Sequence, residues 1–482
     1  MANGRTGMAG DIARAAAVVM LAGVAIIGGA GLAMGTAHAA ARGAQEPAVP
    51  AGGGAAGADD AARRAKDAAR QAELASDAAA FDACAEYDAS SGMLRFNRPP
   101  TEAALRHLPR LPGLMEQTGL AISGMITVKT LRTIAHPDSG LKNLTTLRLA
   151  GTTSTDDGLK ALAAADTGLK NLTTLIFAGA TITDDGLKAL AAADTGLKNL
   201  TALALSGDTI TDDGLKALAA ANTGLKNLTT LDLWSTTVSD DGLKALTAAH
   251  TGLRNLTTLR LFTSSITDDG LKALASAETG LKNLTTLSIV GTRITIDGLK
   301  ALAAANTGLK NLTTLALGGN TITDEVLKAL AAADTGLKNL TTLQLSSTSV
   351  TDDGLKALAA ADTGLKNLTA ITLHGDGITD DGLRALVAAA TGLKNLTALT
   401  LANTSVTADG ISTLAATHTG AKNLTSLNLY GNNVTDDDLK ALAAADTGLK
   451  NLATLKLSQT SVTEEGLAAV RARFPGITIK RE

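Results

Sequence analysis

Acidic residues recur in tandem along the chain, as at Asp184-Asp185 and Asp352-Asp353. Stacked in a row, such pairs could attract calcium. A calcium cage needs more oxygen ligands than two adjacent carboxylates supply, and the glycine-rich nonapeptide of calcium-binding repeats is absent, so no metal site is expected. Asn-Leu-Thr, the N-glycosylation sequon, recurs from Asn143 to Asn423. The Asn persists at Asn451, where Ala453 has replaced the Thr, so this column is read as Asn bonding nearby backbone rather than as a glycan acceptor. A basic column through Lys142 could hold phosphate. Beside the acidic Asp166 column it is read as a solvated edge. The six histidines are scattered and the single cysteine, Cys84, excludes a disulfide framework and a Cys-rich metal site. His250 and His418 share one column at a helix C-terminus, where a cation suits the dipole. There is no Gly-x-Ser-x-Gly, phosphate loop, dinucleotide fingerprint or Cys–His pairing. No enzyme and no cofactor are expected.

These columns exist because the sequence repeats. Leu-Lys-Asn-Leu begins at Leu141 and returns at Leu169, Leu197 and onward to Leu449 with an unbroken 28-residue period, with Leu253-Arg254-Asn255-Leu256 and Ala421-Lys422-Asn423-Leu424 as variants. Twelve copies span Leu141 to Gly476, 336 of 482 residues, without an insertion. Two weaker copies precede them, in which Thr127–Ile134 and Thr101–Leu108 align with Thr155–Leu162 and the short pieces Met93–Asn97 and Gly119–Ser123 read as strands.

Within a copy, Leu147 and Leu149 alternate with Thr146, Arg148 and Ala150, the period of a strand with one buried face. Then Thr155-Asp156-Asp157-Gly158-Leu159-Lys160-Ala161-Leu162 opens a helix. The Thr155 position is Thr or Ser in every copy, so a hydroxyl can cap the first turn. The acids that follow suit the helix dipole. Two glycine columns differ. The Gly168 column is invariant through Gly476, which predicts a left-handed residue ending each helix. The Gly158 column becomes Val326 and Asp438. A β-branched residue is excluded from positive φ, so this glycine is expected to serve close packing.

Leu144-x-x-Leu147-x-Leu149-x-x-Thr152 resembles the leucine-rich-repeat pattern, with Thr at the usual Asn place. The repeat length and helical second half resemble the ribonuclease-inhibitor-like subclass, and "ITDDGLKAL" is similar to exported bacterial members. The resemblance covers most of the chain, all twelve copies from Leu141 to Gly476. It implies an α/β solenoid, a horseshoe with a parallel sheet on the concave side and helices on the convex side.

Outside the repeats the composition changes. Residues 1–39 resemble a signal peptide: Val18 to Ile27 is apolar, and Ala37-His38-Ala39 places small residues where a peptidase reads. A membrane anchor through residues 15–35 is the alternative. Residues 40–57 form an Ala/Gly/Pro linker. Residues 58–92 are Ala-rich, and Leu74, Ala78, Phe81, Cys84 and Tyr87 recur near helical spacing, which predicts a helical N-terminal cap over 58–92. Residues 93–140 hold the two degenerate copies, 141–476 the twelve repeats and 477–482 a closing strand.

Aromatics are 2% of the chain against 45% hydrophobic residues, which fits many small packing layers rather than one deep core. A net charge of −3 gives no basic nucleic-acid surface, and no nucleic-acid partner is expected. The variable columns are Arg148 and Ala150, which face outward from the strand. They bring in Asp232, Trp234, Arg260, Phe262, Val290, His374 and Tyr430. Trp234 and Phe262 should stand side by side, with Asp232 and Arg260 as an adjacent pair; the rings either form a binding patch or merely pack on each other. The unbroken period and the lone Cys84 predict an elongated monomer, the N-terminal segment predicts export, and the resemblance implies a scaffold that binds a protein or peptide on this face. A spacer without a specific partner is the alternative, and an enzyme or enzyme subunit a minor one.

Overall fold

The computed structural model describes residues 85–88, 93–96 and 118–481 apart from short gaps, together with residue 100 and five residues between 63 and 69, which are helical. The signal and linker expected in residues 1–57 lie outside the described residues.

Strands β1 (Ala85–Asp88), β2 (Met93–Phe96), β3 (Gly119–Ser123) and β4 (Thr146–Ala150) begin one continuous sheet. From β4 one strand recurs in every copy to β15 (Thr454–Lys456), and β16 (Thr478–Lys480) closes it. The order is sequential from β1 to β16, so the sheet is open, and β2 to β16 are parallel. Partners across the sheet are equivalent residues of successive copies, as in Thr314↔Thr342 and Leu315↔Leu343. A helix follows each repeat strand, from Asp156–Ala163 to Glu464–Arg473. This is the open α/β solenoid that the repeat pattern implied, one parallel sheet with a helix after each repeat strand.

The core is a stack of identical layers. Leu147, Leu149, Leu159 and Leu162 are fully buried, and so are their equivalents along most of the stack. A buried leucine is worth about 1.5–3 kcal/mol, but each layer touches only its two neighbours, so stability accumulates along one axis.

Three expectations change. Ala85–Asp88, and Tyr87 with it, form a strand antiparallel to β2 rather than the end of a helix. The parallel stack leaves β2 with an unpaired edge, and pairing those backbone groups outweighs alanine's helix propensity. Phe81 and Cys84 lie outside the described residues, as does the Thr101–Leu108 segment. Second, the Gly168 column is not left-handed along the stack; in this column positive φ occurs only at Gly140 and Gly476 among the described residues. The constraint is contact with the previous copy. Gly196 N donates to Ala163 O at 2.9 Å, and a Cβ there would lie 2.3 Å from Ala164 O. Third, the leading acid, present in all repeat helices but those that begin at Ile296 and Ala408, does more than suit a dipole. Asp184 accepts from Thr211 N (2.9 Å) and from Thr211 Oγ1 (2.5 Å), one copy further on. The second acid pairs within its helix, as Asp213 does with Lys216 at 2.9 Å.

The Asn column bonds backbone as expected. Asn171 Nδ2 donates to Lys142 O at 2.8 Å, and the bond repeats to Asn451 and Lys422 O at 3.1 Å.

Candidate binding surface

Because the repeat has no insertion, residues in one column meet on adjacent strands. β7 (Thr230–Trp234), β8 (Thr258–Phe262) and β9 (Thr286–Val290) pair in register, setting Asp232 beside Arg260, Trp234 beside Phe262 and Phe262 beside Val290. Leu231 and Leu233 fill the core, so alternation turns Asp232 and Trp234 to the opposite face of the sheet, away from the core.

The two rings stack, with centroids 3.7 Å apart and planes at 12°. Both are half-buried. Beside them Arg260 Nη1 donates to both carboxylate oxygens of Asp232, at 3.1 and 3.0 Å. The side chains are only 17% (Asp232) and 23% (Arg260) exposed, so the pair is screened far less than a surface ion pair. Burial pushes the Asp232 carboxyl above its ordinary value, and the opposing pull of Arg260 does not cancel it.

Beyond this wall the face sinks. Ser288 and Ala316 are buried although they face outward, and Ser288 Oγ has no hydrogen-bond partner among the described residues. Gly318 follows Val290 in the row, and a Cβ on it would meet Val290 Cγ1 at 3.4 Å and Ser346 Cβ at 3.5 Å. The floor of short side chains was not singled out in the sequence, where Ser, Ala and Gly each read as ordinary substitutions.

Asp232, Trp234, Arg260, Phe262 and Val290 therefore form one group. His374, at the end of the strand Ala370–His374, is four strands from Phe262, about 19 Å at ordinary strand spacing. Burial lowers its pKa and favours the neutral imidazole. Tyr430 lies two strands further, past the end of Ser426–Asn428; its N–H donates to Asn428 Oδ1 at 3.0 Å. Neither reaches the aromatic pair.

The acidic rows hold no metal geometry: among the described residues no three His, Cys, Asp or Glu side chains cluster as ligands. Among them, too, no helix is long and apolar enough to cross a membrane.

Eight copies, within residues 168–359 and 420–443, match the family model described as leucine-rich repeat. No curated protein matches the chain. Among solved structures it is similar to an internalin from Listeria monocytogenes, at 22% identity over 77% of this chain and 82% of that one, with a TM-score of 0.38. It is also similar to a leucine-rich-repeat protein of Leptospira interrogans, at 17% identity over 79% of this chain and 99% of that one, with a TM-score of 0.35.

Proposed function

We propose that this leucine-rich-repeat protein is an exported, non-enzymatic scaffold that binds a protein or peptide on its concave sheet. Leucine-rich-repeat proteins generally act as protein-interaction scaffolds. The observation that carries the reading here is the stacked Trp234–Phe262 pair beside the buried Asp232–Arg260 ion pair. Aromatic side chains and Arg dominate interface hot spots, where partial burial before binding lowers the ordering cost. Most other copies carry a small residue in the Trp234 column. The 28-residue strand–helix unit also favours the ribonuclease-inhibitor-like subclass.

Trp234 is the only tryptophan, so its emission reports this patch directly. A partner captured from the native host should shift that emission on binding. Trp234→Ala should weaken the complex by about 2 kcal/mol or more while leaving the unfolding midpoint nearly unchanged. An alanine variant that binds as tightly as the parent removes the patch as the site. Capture of no partner favours the spacer reading, which the near-identity of the copies supports.

Export rests on the apolar stretch Val18–Ile27 and the small residues at Ala37 and Ala39. N-terminal sequencing of the mature protein should begin near residue 40. A start at Met1 or Ala2 overturns cleavage, and membrane retention then favours the anchor through residues 15–35.

A further inference from the structure

The Lys142 column is basic in all twelve copies, and at Arg254 the residue changes while the charge stays. Every member from Lys142 to Lys450 is exposed. None makes a side-chain ion pair or hydrogen bond among the described residues, and the Asp166 column does not pair with it. The contrast is the Lys160 column within the helices, where Lys188 holds Asp185 at 3.0 Å and Lys216 holds Asp213 at 2.9 Å. The fold uses the backbone of the Lys142 column, whose carbonyls accept the Asn side chains of the next copy. It does not use the ammonium groups. That Asn ladder fixes the cations in a single row at strand spacing, about 50 Å long.

Next to the row runs a shallow groove lined by Asn and Thr side chains, among them Asn283, Thr285, Asn311 and Thr313. Each Asn spends its amide on a neighbouring carbonyl, as Asn311 Nδ2 does on Lys282 O at 2.9 Å. Its Oδ1 has no partner among the described residues and remains an acceptor. We propose that this edge of the sheet binds a linear acidic polysaccharide, one carrying a carboxylate on each sugar unit. A row one cation wide matches one charged chain, and the uncharged acceptors beside it suit sugar hydroxyls. The row and groove carry no aromatic side chain to stack bases, as single-stranded nucleic acid requires. They carry no large apolar side chain to enter a lipid surface, since the groove is lined by Asn and Thr alone.

The test titrates the full chain with polygalacturonate fragments by calorimetry at low ionic strength. Saturable binding that weakens steeply with added salt is expected. A variant carrying Lys226→Gln, Arg254→Gln, Lys282→Gln and Lys310→Gln should bind about tenfold or more weaker, the loss of several exposed ion pairs, with an unchanged unfolding midpoint. A control with Lys188→Gln, Lys216→Gln, Lys244→Gln and Lys272→Gln should stay within about twofold of the parent, since those cations lie on the helices and are held by acids there. Methyl-esterified polygalacturonate, which keeps the backbone and loses the charge, should not bind. That comparison needs no variant and so stands whether or not the substituted chains fold. Absence of saturable binding, equal binding of the ester, or equal loss in both variants overturns the proposal. So does tighter binding to duplex DNA or to phosphatidylglycerol vesicles. Trp234→Ala should leave this binding unchanged, which separates it from the concave site.

Discussion

The leading acid of one helix and the glycine of the next behave as one unit. Asp324 accepts from Thr351 N at 2.8 Å and from Thr351 Oγ1 at 2.7 Å, capping the following helix from the copy before. A Cβ at Gly354 would lie 2.5 Å from Asp324 Oδ1, so the carboxylate leaves room only for glycine. The two exceptions within the repeats obey the same geometry. Ile296 replaces the acid in one copy and Val326 replaces the glycine in the next, where Thr323 makes no side-chain cap. Ala408 replaces the acid in another, and Asp438 takes the next glycine position. Asp438 then restores the cap from within its own helix, accepting from Thr435 N and Thr435 Oγ1 at 2.8 Å. Gly354→Val should therefore destabilise by about 2–3 kcal/mol through overpacking, and Asp324→Ile by about 1–2 kcal/mol through loss of the cap. The double variant should cost less than the sum by about 1 kcal/mol, since the isoleucine removes the carboxylate that the valine strikes. Denaturant unfolding of the four chains measures the coupling, and strict additivity would refute it.

At the scale of elements, two rungs of this capping ladder, Asp268 and Asp436, tie their helices to pH. At Asp436 the hydroxyl and backbone N–H of Thr463 hold the carboxyl below its ordinary value. At Asp268 burial pushes up, but hydrogen bonds from Thr295 and Gly298 prevail and the net shift is downward. A depressed folded pKa means that the unfolded state binds more protons, so stability rises with pH across this range. The contribution is complete above the ordinary carboxylate value of 3.8 and is lost as pH falls through the lower folded value. Thermal midpoints of Asp268→Asn and Asp436→Asn should fall less steeply than the parent's below pH about 4; parallel curves would place the acid response elsewhere. The strand, the helix and their caps were legible in one copy because period, hydroxyl and leucine spacing are local signals. What could not be read is whatever depends on the distance between copies. The Asp184–Thr211 bond, the backbone contact that forces Gly196 and the sinking floor at Ser288 all need the stacking geometry. The antiparallel strand at Ala85–Asp88 was hidden for the same reason, since its cause is an edge of the stack rather than its own composition.

For the whole molecule, uniform spacing means that a copy can be removed without disturbing register, but the copies are not interchangeable. Deleting Leu169–Gly196 joins ordinary neighbours: Asp156 would meet Thr211 and Gly214 as it now meets Thr183 and Gly186. Each copy contributes its own layer and two interfaces, so the shortened chain should fold with a proportionally smaller denaturant slope, because slope follows the surface exposed. Deleting Leu281–Gly308 removes a segment of the same length, but Ile296 goes with it. Asp268 would then face Val326, a carboxylate against a β-branched side chain where the present structure has Asp268 against Gly298 at Cβ distances of 2.5–3.2 Å. Either the helix shifts or the cap at Thr323 fails to form, and both outcomes cost stability. The second deletion should therefore unfold at a lower denaturant concentration than the first, by about 2 kcal/mol when converted through the slope. Val326→Gly in the second deletion should recover most of the difference, since it reopens the space beside Asp268. Equal midpoints for the two deletions, or a glycine that recovers nothing, would show that the Asp–Gly pairing follows duplication history rather than packing.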